Sequence, residues 1–168
     1  MALLFVGGQL LMKTLLLVRH AKTAPAGPTQ TDHTRALEDE GVTDAGKLAH
    51  YLRSKAIVPD QILVSSANRT QSTAQILMTA FDRSDIDVVV SDELYLASAE
   101  FLADVVTNVS DQIETLMIVG HNPGLSEFAY RFDETLMGLR PAQLLKVEFD
   151  ASTWFDATAE HVKATKLV

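Results

Sequence analysis

The chain has 168 residues, of which 47% are hydrophobic, and this length and composition are those of one globular domain with its own core. A formal net charge of −8 argues against a broad surface for nucleic acid or for an anionic membrane, because both require clustered lysine and arginine side chains. The sequence contains no cysteine, which excludes disulfides, thiol nucleophiles and zinc–thiolate sites and fits a reducing compartment, so we expect a cytoplasmic protein.

The N-terminal segment MALLFVGGQLLM is apolar, but it is far shorter than the roughly 20 residues that cross a bilayer. It also lacks the basic start and the small-residue cleavage site of a secretory signal. We expect residues 1–12 to form an N-terminal extension, with Met12 as the alternative start, or an arm that packs on the body or on a partner subunit. Residues 13–168 are expected to form a single domain.

Short apolar runs alternate with helical patterns along the rest of the chain. The runs predict strands at residues 14–18, 61–64, 86–90, 115–119 and 144–149. The last run alternates between apolar and polar residues, as is typical of an edge or antiparallel strand. The segment that follows it, which contains Trp154, is expected to hold one more strand and a tail.

Apolar residues spaced three or four apart mark three helices between these strands. Their positions are Ala45, Leu48, Ala49 and Leu52, then Thr70, Ala74, Leu77 and Phe81, and then Leu102, Val105 and Val109. Thr43 and Ser98 are predicted to cap the first and the third of these helices. A fourth helix is expected from about Pro123, because proline suits a first helical turn.

The alternation of strands and helices predicts the fold class. Several strands are apolar throughout, which indicates an α/β fold with a mostly parallel sheet covered on both faces. We therefore expect a three-layer α/β/α sandwich. In such folds ligands bind at the carboxyl ends of the strands, so the residues just past each strand end are the candidates for a functional site.

Unusual side chains follow three of the predicted strands. Arg19 and His20 follow the first strand, and Arg69 lies in the first turn of the helix after the second. His121 lies in a Gly-His-Asn-Pro-Gly turn after the fourth strand. Each feature alone is more typical of a surface, of a helix start or of a turn chosen for its backbone geometry. Because the carboxyl ends of parallel strands share one edge, we expect the two arginines and the two histidines to meet there.

Two arginines and two histidines that meet at one point can bind and transform only a few kinds of ligand. Two guanidinium groups and two imidazoles around one point suit a tetrahedral dianion, above all a phosphoryl group. One neutral imidazole can attack phosphorus in line while the other groups neutralise the equatorial oxygens. A carboxylic acid would protonate the leaving group, and Asp92 and Glu93 follow the third strand. The chain has no P-loop and no Gly-x-Ser-x-Gly elbow, and arginine-rich strand ends repel a metal cation, so we expect neither a metal nor a cofactor.

These residues resemble the motifs of the histidine phosphatase superfamily, whose fold is called phosphoglycerate mutase-like. LLLVRHAKT is similar to its Arg-His-Gly motif, with Ala21 in place of glycine. SSANRTQSTAQIL is similar to its Ser-Pro-x-x-Arg-x-x-x-Thr motif, and IVGHNPGL to its second-histidine motif. DHTRALEDEGVTDAGKLAHYL resembles, more narrowly, the Asp-x-x-Arg-x-Leu segment of SixA-type phosphohistidine phosphatases. Together these motifs span about residues 13–149.

The resemblance implies a role for each matching residue. It implies that His20 is the phosphorylated nucleophile. It also implies a phosphate pocket made of Arg19, Arg69, His121 and Asn122. Asp32 and Arg35 match a loop that shapes the rim or touches the substrate, and Glu93 stands where larger relatives carry their general acid.

The short loops bear on the substrate. Residues 90–98 leave no room for the helical lid of larger relatives, and the loop at residues 24–35 is short. An uncovered pocket suits a bulky substrate, so the resemblance favours a phosphohydrolase that acts on phosphohistidine of a protein. A phosphatase of a small phosphorylated metabolite is the alternative within the same class. A phosphate-recognising module without turnover is the alternative from another class, although both histidines and both arginines are present.

Overall fold

The computed structural model describes residues 5–6, 9–10 and 12–168. Phe5–Val6 (β1) and Gln9–Leu10 (β2) pair as an antiparallel ribbon. The rest of the expected extension or arm lies outside the described residues, so its role stays a prediction. None of the helices described here combines the length and the apolar character that crossing a membrane requires.

A six-stranded sheet forms the middle layer. Its strands are, in chain order, β3 (Lys13–Arg19), β4 (Gln61–Ser65), β5 (Asp87–Ser91), β6 (Thr115–Gly120), β7 (Leu144–Phe149) and β8 (Val162–Leu167). Their spatial order is β5–β4–β6–β3–β7–β8, in which the first four are parallel and the last two are antiparallel to the strand before them. The predicted strands and the mostly parallel sheet are confirmed.

Helices cover the two faces of this sheet. They are α1 (Asp39–Ser54), α2 (Asn68–Met78), α3 (Ala99–Thr107) and α4 (Gly124–Tyr130). Leu16 and Val18 of β3 join the apolar core with α1 and α2, whereas Leu15 and Leu17 join the core with α3 and α4. Successive side chains of a strand point to opposite faces, so this division confirms the three-layer α/β/α architecture.

One of the two predicted helix caps is wrong. α1 begins at Asp39, so Thr43 lies within the helix, and its hydroxyl donates to the Asp39 carbonyl oxygen at 3.0 Å. Asp39 and Glu40 favour the earlier start because acidic side chains interact well with the positive end of the helix dipole. The Ser98 cap of α3 is confirmed, since Ser98 Oγ accepts a hydrogen bond from the Phe101 N–H at 3.2 Å.

β5 departs from the expectation of a sheet covered on both faces. Its valines Val88, Val89 and Val90 are 37%, 40% and 49% exposed. β5 lies at the edge of the sheet, and neither apolar core includes a β5 side chain. An apolar run predicts a strand, but its burial depends on where the helices pack, and here they cover the inner strands.

The first turn of α1 packs directly against the backbone that follows His20. A Cβ added at Gly41 would lie 2.2 Å from the Lys22 carbonyl oxygen. The Glu38 N–H donates to the same oxygen at 3.0 Å. α1 therefore fixes the course of the chain as it leaves the end of β3.

We expect Gly41→Ala to lower the free energy of unfolding by about 1–3 kcal/mol, because the new methyl group overlaps backbone atoms that hold the end of β3. Gly46→Ala in the same helix is the matched control, since no atom lies within 4 Å of a Cβ added there. It should raise the free energy of unfolding by about 0.5–1 kcal/mol through helix propensity. Urea denaturation followed by circular dichroism measures both values, and equal effects would contradict the close approach at Gly41.

Candidate active site

Three adjacent parallel strands deliver the side chains that the sequence singles out. β3 and β6 are neighbours with Arg19 opposite Gly120, so His20 and His121 follow at the same level of the sheet. Their ring centroids are 5.4 Å apart. β4 is the other neighbour of β6, and Arg69 lies in the first turn of α2, which follows β4. The structure thus brings the two arginines and the two histidines together.

These four side chains lie in a cavity of about 440 Å³. Its lining is rich in cationic groups. Asp32, Arg35 and Asn122, which the sequence also predicts at the site, contribute to the lining. So do Lys22, Leu96 and Pro141, which the sequence does not predict. The Asn122 side chain is held on the chain by two contacts, since its amide donates to the Leu139 carbonyl oxygen at 2.9 Å and its oxygen accepts from Ser126 Oγ at 2.6 Å.

His20 is held in a single tautomer. Its Nδ1 lies 2.8 Å from the Ala21 carbonyl oxygen, and a carbonyl oxygen can only accept, so Nδ1 carries the proton. Nε2 then bears the lone pair. Burial, followed by the charges of Arg69 and Arg19, lowers the pKa of His20 to about 4. The imidazole is therefore neutral at pH 7 and can act as a nucleophile through Nε2.

His121 is also buried and neutral. Its Nε2 forms a hydrogen bond of 2.7 Å with Ser65 Oγ at the end of β4. Burial, followed by the charges of Arg69 and His20, lowers the pKa of His121 to about 3. Ser65 fixes the ring because its hydroxyl lies on a rigid strand, whereas His121 lies in the turn after β6.

The two arginines are anchored by other parts of the chain. Arg69 is 3% exposed, and its two terminal nitrogens donate to Asp32, one to the carbonyl oxygen at 2.7 Å and one to Oδ2 at 3.0 Å. Arg19 donates from Nη1 to the Leu139 carbonyl oxygen at 3.0 Å. Each guanidinium is thus fixed in orientation at the cavity wall.

Asp32 connects the rim to the buried arginine. Its carboxylate accepts hydrogen bonds from the Tyr95 hydroxyl at 2.5 Å and from Arg35 Nη1 at 3.0 Å, in addition to the bond from Arg69. Hydrogen bonds from Tyr95 and Arg35, together with the Arg69 charge, hold the pKa of Asp32 well below its usual range. Asp32 is therefore ionised at neutral pH and offsets part of the positive charge of the cavity.

The structure does not bring Glu93 to the cavity. Glu93 is exposed and lies in the turn Asp92–Leu94 that follows β5. Glu93 is not among the residues that line the cavity, although Leu96, three residues further along the chain, is. The acid role that the resemblance implied for Glu93 is not supported by its position.

Two residues near the site, Tyr95 and Ser65, were missed in the sequence, and of these Tyr95 belongs to no motif. Tyr95 follows the turn after β5, yet its ring meets that of His121 edge to face at a centroid distance of 5.4 Å. Ser65 stands inside the arginine motif, so a hydroxyl at the end of β4 was a signal that pattern reading passed over. In the part of the chain that the structure describes, no three His, Cys, Asp or Glu side chains are clustered to hold a metal ion.

Sequence comparison places the chain among known proteins. The family model of the histidine phosphatase superfamily (branch 1) matches residues 15–95. A protein of Mycobacterium tuberculosis, described only as uncharacterized, is 33% identical over 113 residues, which are 67% of this chain and 67% of that protein.

Solved structures share the fold over most of the chain. A structure from Agrobacterium tumefaciens assigned as phosphohistidine phosphatase SixA has a TM-score of 0.77 and 29% identity, and covers 82% of this chain and 92% of that chain. A structure from Escherichia coli assigned as α-ribazole-5′-phosphate phosphatase shares the fold with a TM-score of 0.64 at 15% identity, over 84% of this chain and 93% of that chain.

The protein is a phosphatase with an α/β/α architecture, as the fold, the histidines at the strand ends and the match to the family model together show. The chain belongs to the histidine phosphatase superfamily, branch 1, and is of the SixA type.

The burial of His20 between two arginines predicts an unusual titration. We expect its ring to stay in the neutral Nδ1–H form from pH 8 to pH 5 and to gain a proton only near its pKa of about 4, because the buried cation is poorly solvated and is repelled by the arginines. Long-range ¹H–¹⁵N NMR spectra of the histidine rings measure this, with His20→Ala used to assign the signals. A midpoint at the ordinary value of about 6.5 would contradict the described environment.

Proposed function

We propose that this protein removes phosphate from phosphohistidine on another protein, through a phosphoenzyme intermediate at His20. Arg19, Arg69, His121 and Asn122 bind the phosphoryl group, and Asp32 and Arg35 shape the rim. No cofactor takes part in this scheme. We further propose a cytoplasmic location, on the ground that the chain has no cysteine.

The proposal rests chiefly on a set of side-chain nitrogens around His20 that have no hydrogen-bond partner. Among the described residues, three buried side-chain nitrogens have no hydrogen-bond partner, namely Nε of Arg19, Nε of Arg69 and Nδ1 of His121. Buried polar groups are nearly always hydrogen-bonded, and the three residues that carry these nitrogens all line one cavity. A phosphoryl group, with three oxygens around phosphorus, would satisfy them together.

The proposed reaction has two steps. His20 Nε2 attacks phosphorus in line, so that the Nε2–P bond forms as the bond from phosphorus to the leaving nitrogen breaks, and the leaving imidazole takes up a proton from solvent water. Throughout, the Ala21 carbonyl oxygen accepts from Nδ1 and keeps the ring aligned. Water then attacks phosphorus, gives up a proton as the Nε2–P bond breaks, and inorganic phosphate is released from a neutral His20.

The state of Asp32 supports a leaving nitrogen over a leaving alkoxide. Of the described residues that line the cavity, only Asp32 carries a carboxyl group, and its three donors keep it ionised. An ionised carboxylate cannot protonate a leaving group. An alkoxide needs such a proton, whereas the ring nitrogen of phosphohistidine takes one readily from water, so the cavity suits the phosphoramidate.

Charge pairing at the rim supports a substrate with one phosphoryl group and no second anion nearby. Lys22 lies 2.5 Å from Glu40 and 3.3 Å from Glu38, and Arg35 is paired with Asp32. These rim cations already have acidic partners. A metabolite with an added carboxylate or phosphate would have to displace them.

Two alternative functions, a small-metabolite phosphatase and a binding module without turnover, are also compatible with this cavity. The shared fold of the α-ribazole-5′-phosphate phosphatase structure is compatible with a small-metabolite phosphatase, although 15% identity reports the fold alone. A binding module without turnover would use the same cavity, and a substitution of His20 separates it from an enzyme.

We expect His20→Ala to reduce kcat for an aryl phosphate by at least about 1000-fold, because the attacking nitrogen is removed. Vanadate should still bind, since both arginines and His121 remain. Steady-state assays and calorimetric titration measure the two properties.

The control for this substitution is His50→Ala, which removes an exposed imidazole on α1. It should leave the kinetics unchanged. Activity that survives in His20→Ala would overturn the mechanism, and an inactive wild type that still binds vanadate would favour the binding module.

The ionised Asp32 predicts a strong dependence on the leaving group. We expect kcat/KM for a phosphohistidine protein to exceed that for sugar and nucleotide phosphates by at least about 100-fold, since a missing general acid costs that much for an alkoxide. Phosphate release from each substrate, measured side by side, provides the comparison. Equal or higher values for a sugar or nucleotide phosphate would favour the metabolite alternative.

A further inference from the structure

Two non-glycine residues beside the cavity have a left-handed backbone. Over the described residues, a positive φ at a non-glycine position occurs at Ala56, Leu96 and Ala142. Leu96 lines the cavity, and Ala142 directly follows Pro141, which lines it as well. Strained backbone persists where the surrounding structure over-determines it, and it is concentrated at functional sites.

Leu96 is an unexpected residue for its position. Its φ is +50°, a region that bulky side chains avoid and that glycine and asparagine adopt more readily. Leu96 is 53% exposed, and neither apolar core includes it. Neither the backbone conformation nor packing in the core therefore explains why residue 96 is a leucine.

The residues on either side of Leu96 hold it in this conformation. On one side, Tyr95 is tied to the rim by its hydrogen bond to Asp32. On the other, the Ala97 carbonyl oxygen packs so closely on Gly124 that a Cβ there would lie 1.9 Å from it. Ser98 then caps α3. Leu96 is thus fixed at the cavity mouth between two anchored neighbours.

Pro141 is fixed relative to the nucleophile in a similar way. The N–H of Ala142 donates to the carbonyl oxygens of Arg19 and His20, each at 3.2 Å. Leu96 and Pro141, which we call the apolar lips, are therefore two apolar side chains on anchored backbone, in the lining of a cavity whose other residues are polar or charged.

We infer that Leu96 is a specificity residue and that the apolar lips contact the leaving group beside phosphorus, selecting the flat face of an aromatic ring over a hydroxylated or very small group. An apolar surface favours a ring face and leaves sugar hydroxyls without partners. The inference deepens the proposed function, on which it rests for the identity of the ring as imidazole. Beyond the proposed function, the inference states that Leu96 occupies this strained position because its side chain contacts that ring.

Two non-hydrolysable probes test the lips directly. Calorimetric titration should show that the wild type binds phenylphosphonate about tenfold more tightly than methylphosphonate, as expected for a modest apolar contact. In Leu96→Gly and in Leu96→Asn the two dissociation constants should come within about twofold of each other, with that of methylphosphonate unchanged. Both variants should also melt about 2–4 °C higher, because their backbone adopts a left-handed φ without strain.

Ala56→Gly is the matched control, since Ala56 has a φ of +51° and is exposed after α1, before β4 begins. It should raise the melting temperature without changing the preference for phenylphosphonate. A preference that survives in both Leu96 variants would overturn the inference. An equal loss of affinity for both probes would also overturn the inference, because it would mean that Leu96 only keeps the loop in position and does not contact the ring.

Because phosphonates are not turned over, the titration is independent of the proposed function. A wild type that prefers phenylphosphonate but does not hydrolyse a phosphohistidine protein would overturn the proposed function and uphold the lips. If the wild type hydrolyses that protein but shows no preference between the phosphonates, the proposed function is upheld and the inference about the lips is overturned.

Discussion

The parallel pairing of β3 with β6 is the constraint on which the site depends. Each strand is packed in a dry core on both faces, so neither can slide without exposing apolar side chains. Arg19 lies opposite Gly120 in this register, and the residues that follow are the two histidines. A shift by one residue would turn every core side chain to the wrong face, and so the stability of the core also fixes the distance between the two imidazoles.

Electrostatic balance is the second condition for such a site. Arg19, Arg69 and Arg35 lie close together beside two imidazoles, and their mutual repulsion is offset in part by the Asp32 carboxylate. The histidines avoid adding to the repulsion because burial keeps them neutral. An acidic protein can therefore hold a small positive pocket. The Asp32 carboxylate connects the two sides of that pocket, because it accepts hydrogen bonds from the buried Arg69 and from Arg35 at the rim.

Pattern reading succeeded where local chemistry and global packing agree. The apolar runs predicted the strands, and Ser98 was recognised as a cap since its hydroxyl precedes a helical pattern directly. It failed where another part of the chain decides. Thr43 lies inside α1 because acidic residues extend the helix, and Val89 is exposed as part of an edge strand that no helix covers. Glu93 follows a strand end like the other candidates, but in the turn after that strand it is exposed, and Leu96 lines the cavity instead.

The amino-acid sequence was enough to establish an α/β chain whose strand ends carry two arginines and two histidines, because hydrophobic periodicity and residue chemistry are local properties. Which strands are neighbours depends on long-range pairing, and that order brings Arg69 and His121 to the same sheet edge as Arg19 and His20. The tautomer of His20 and the strained Leu96 likewise follow from contacts with the folded backbone. The contacts that hold Leu96 join residues far apart in the chain, whereas the tautomer of His20 depends on the orientation of the neighbouring Ala21 carbonyl group, and no short motif records either.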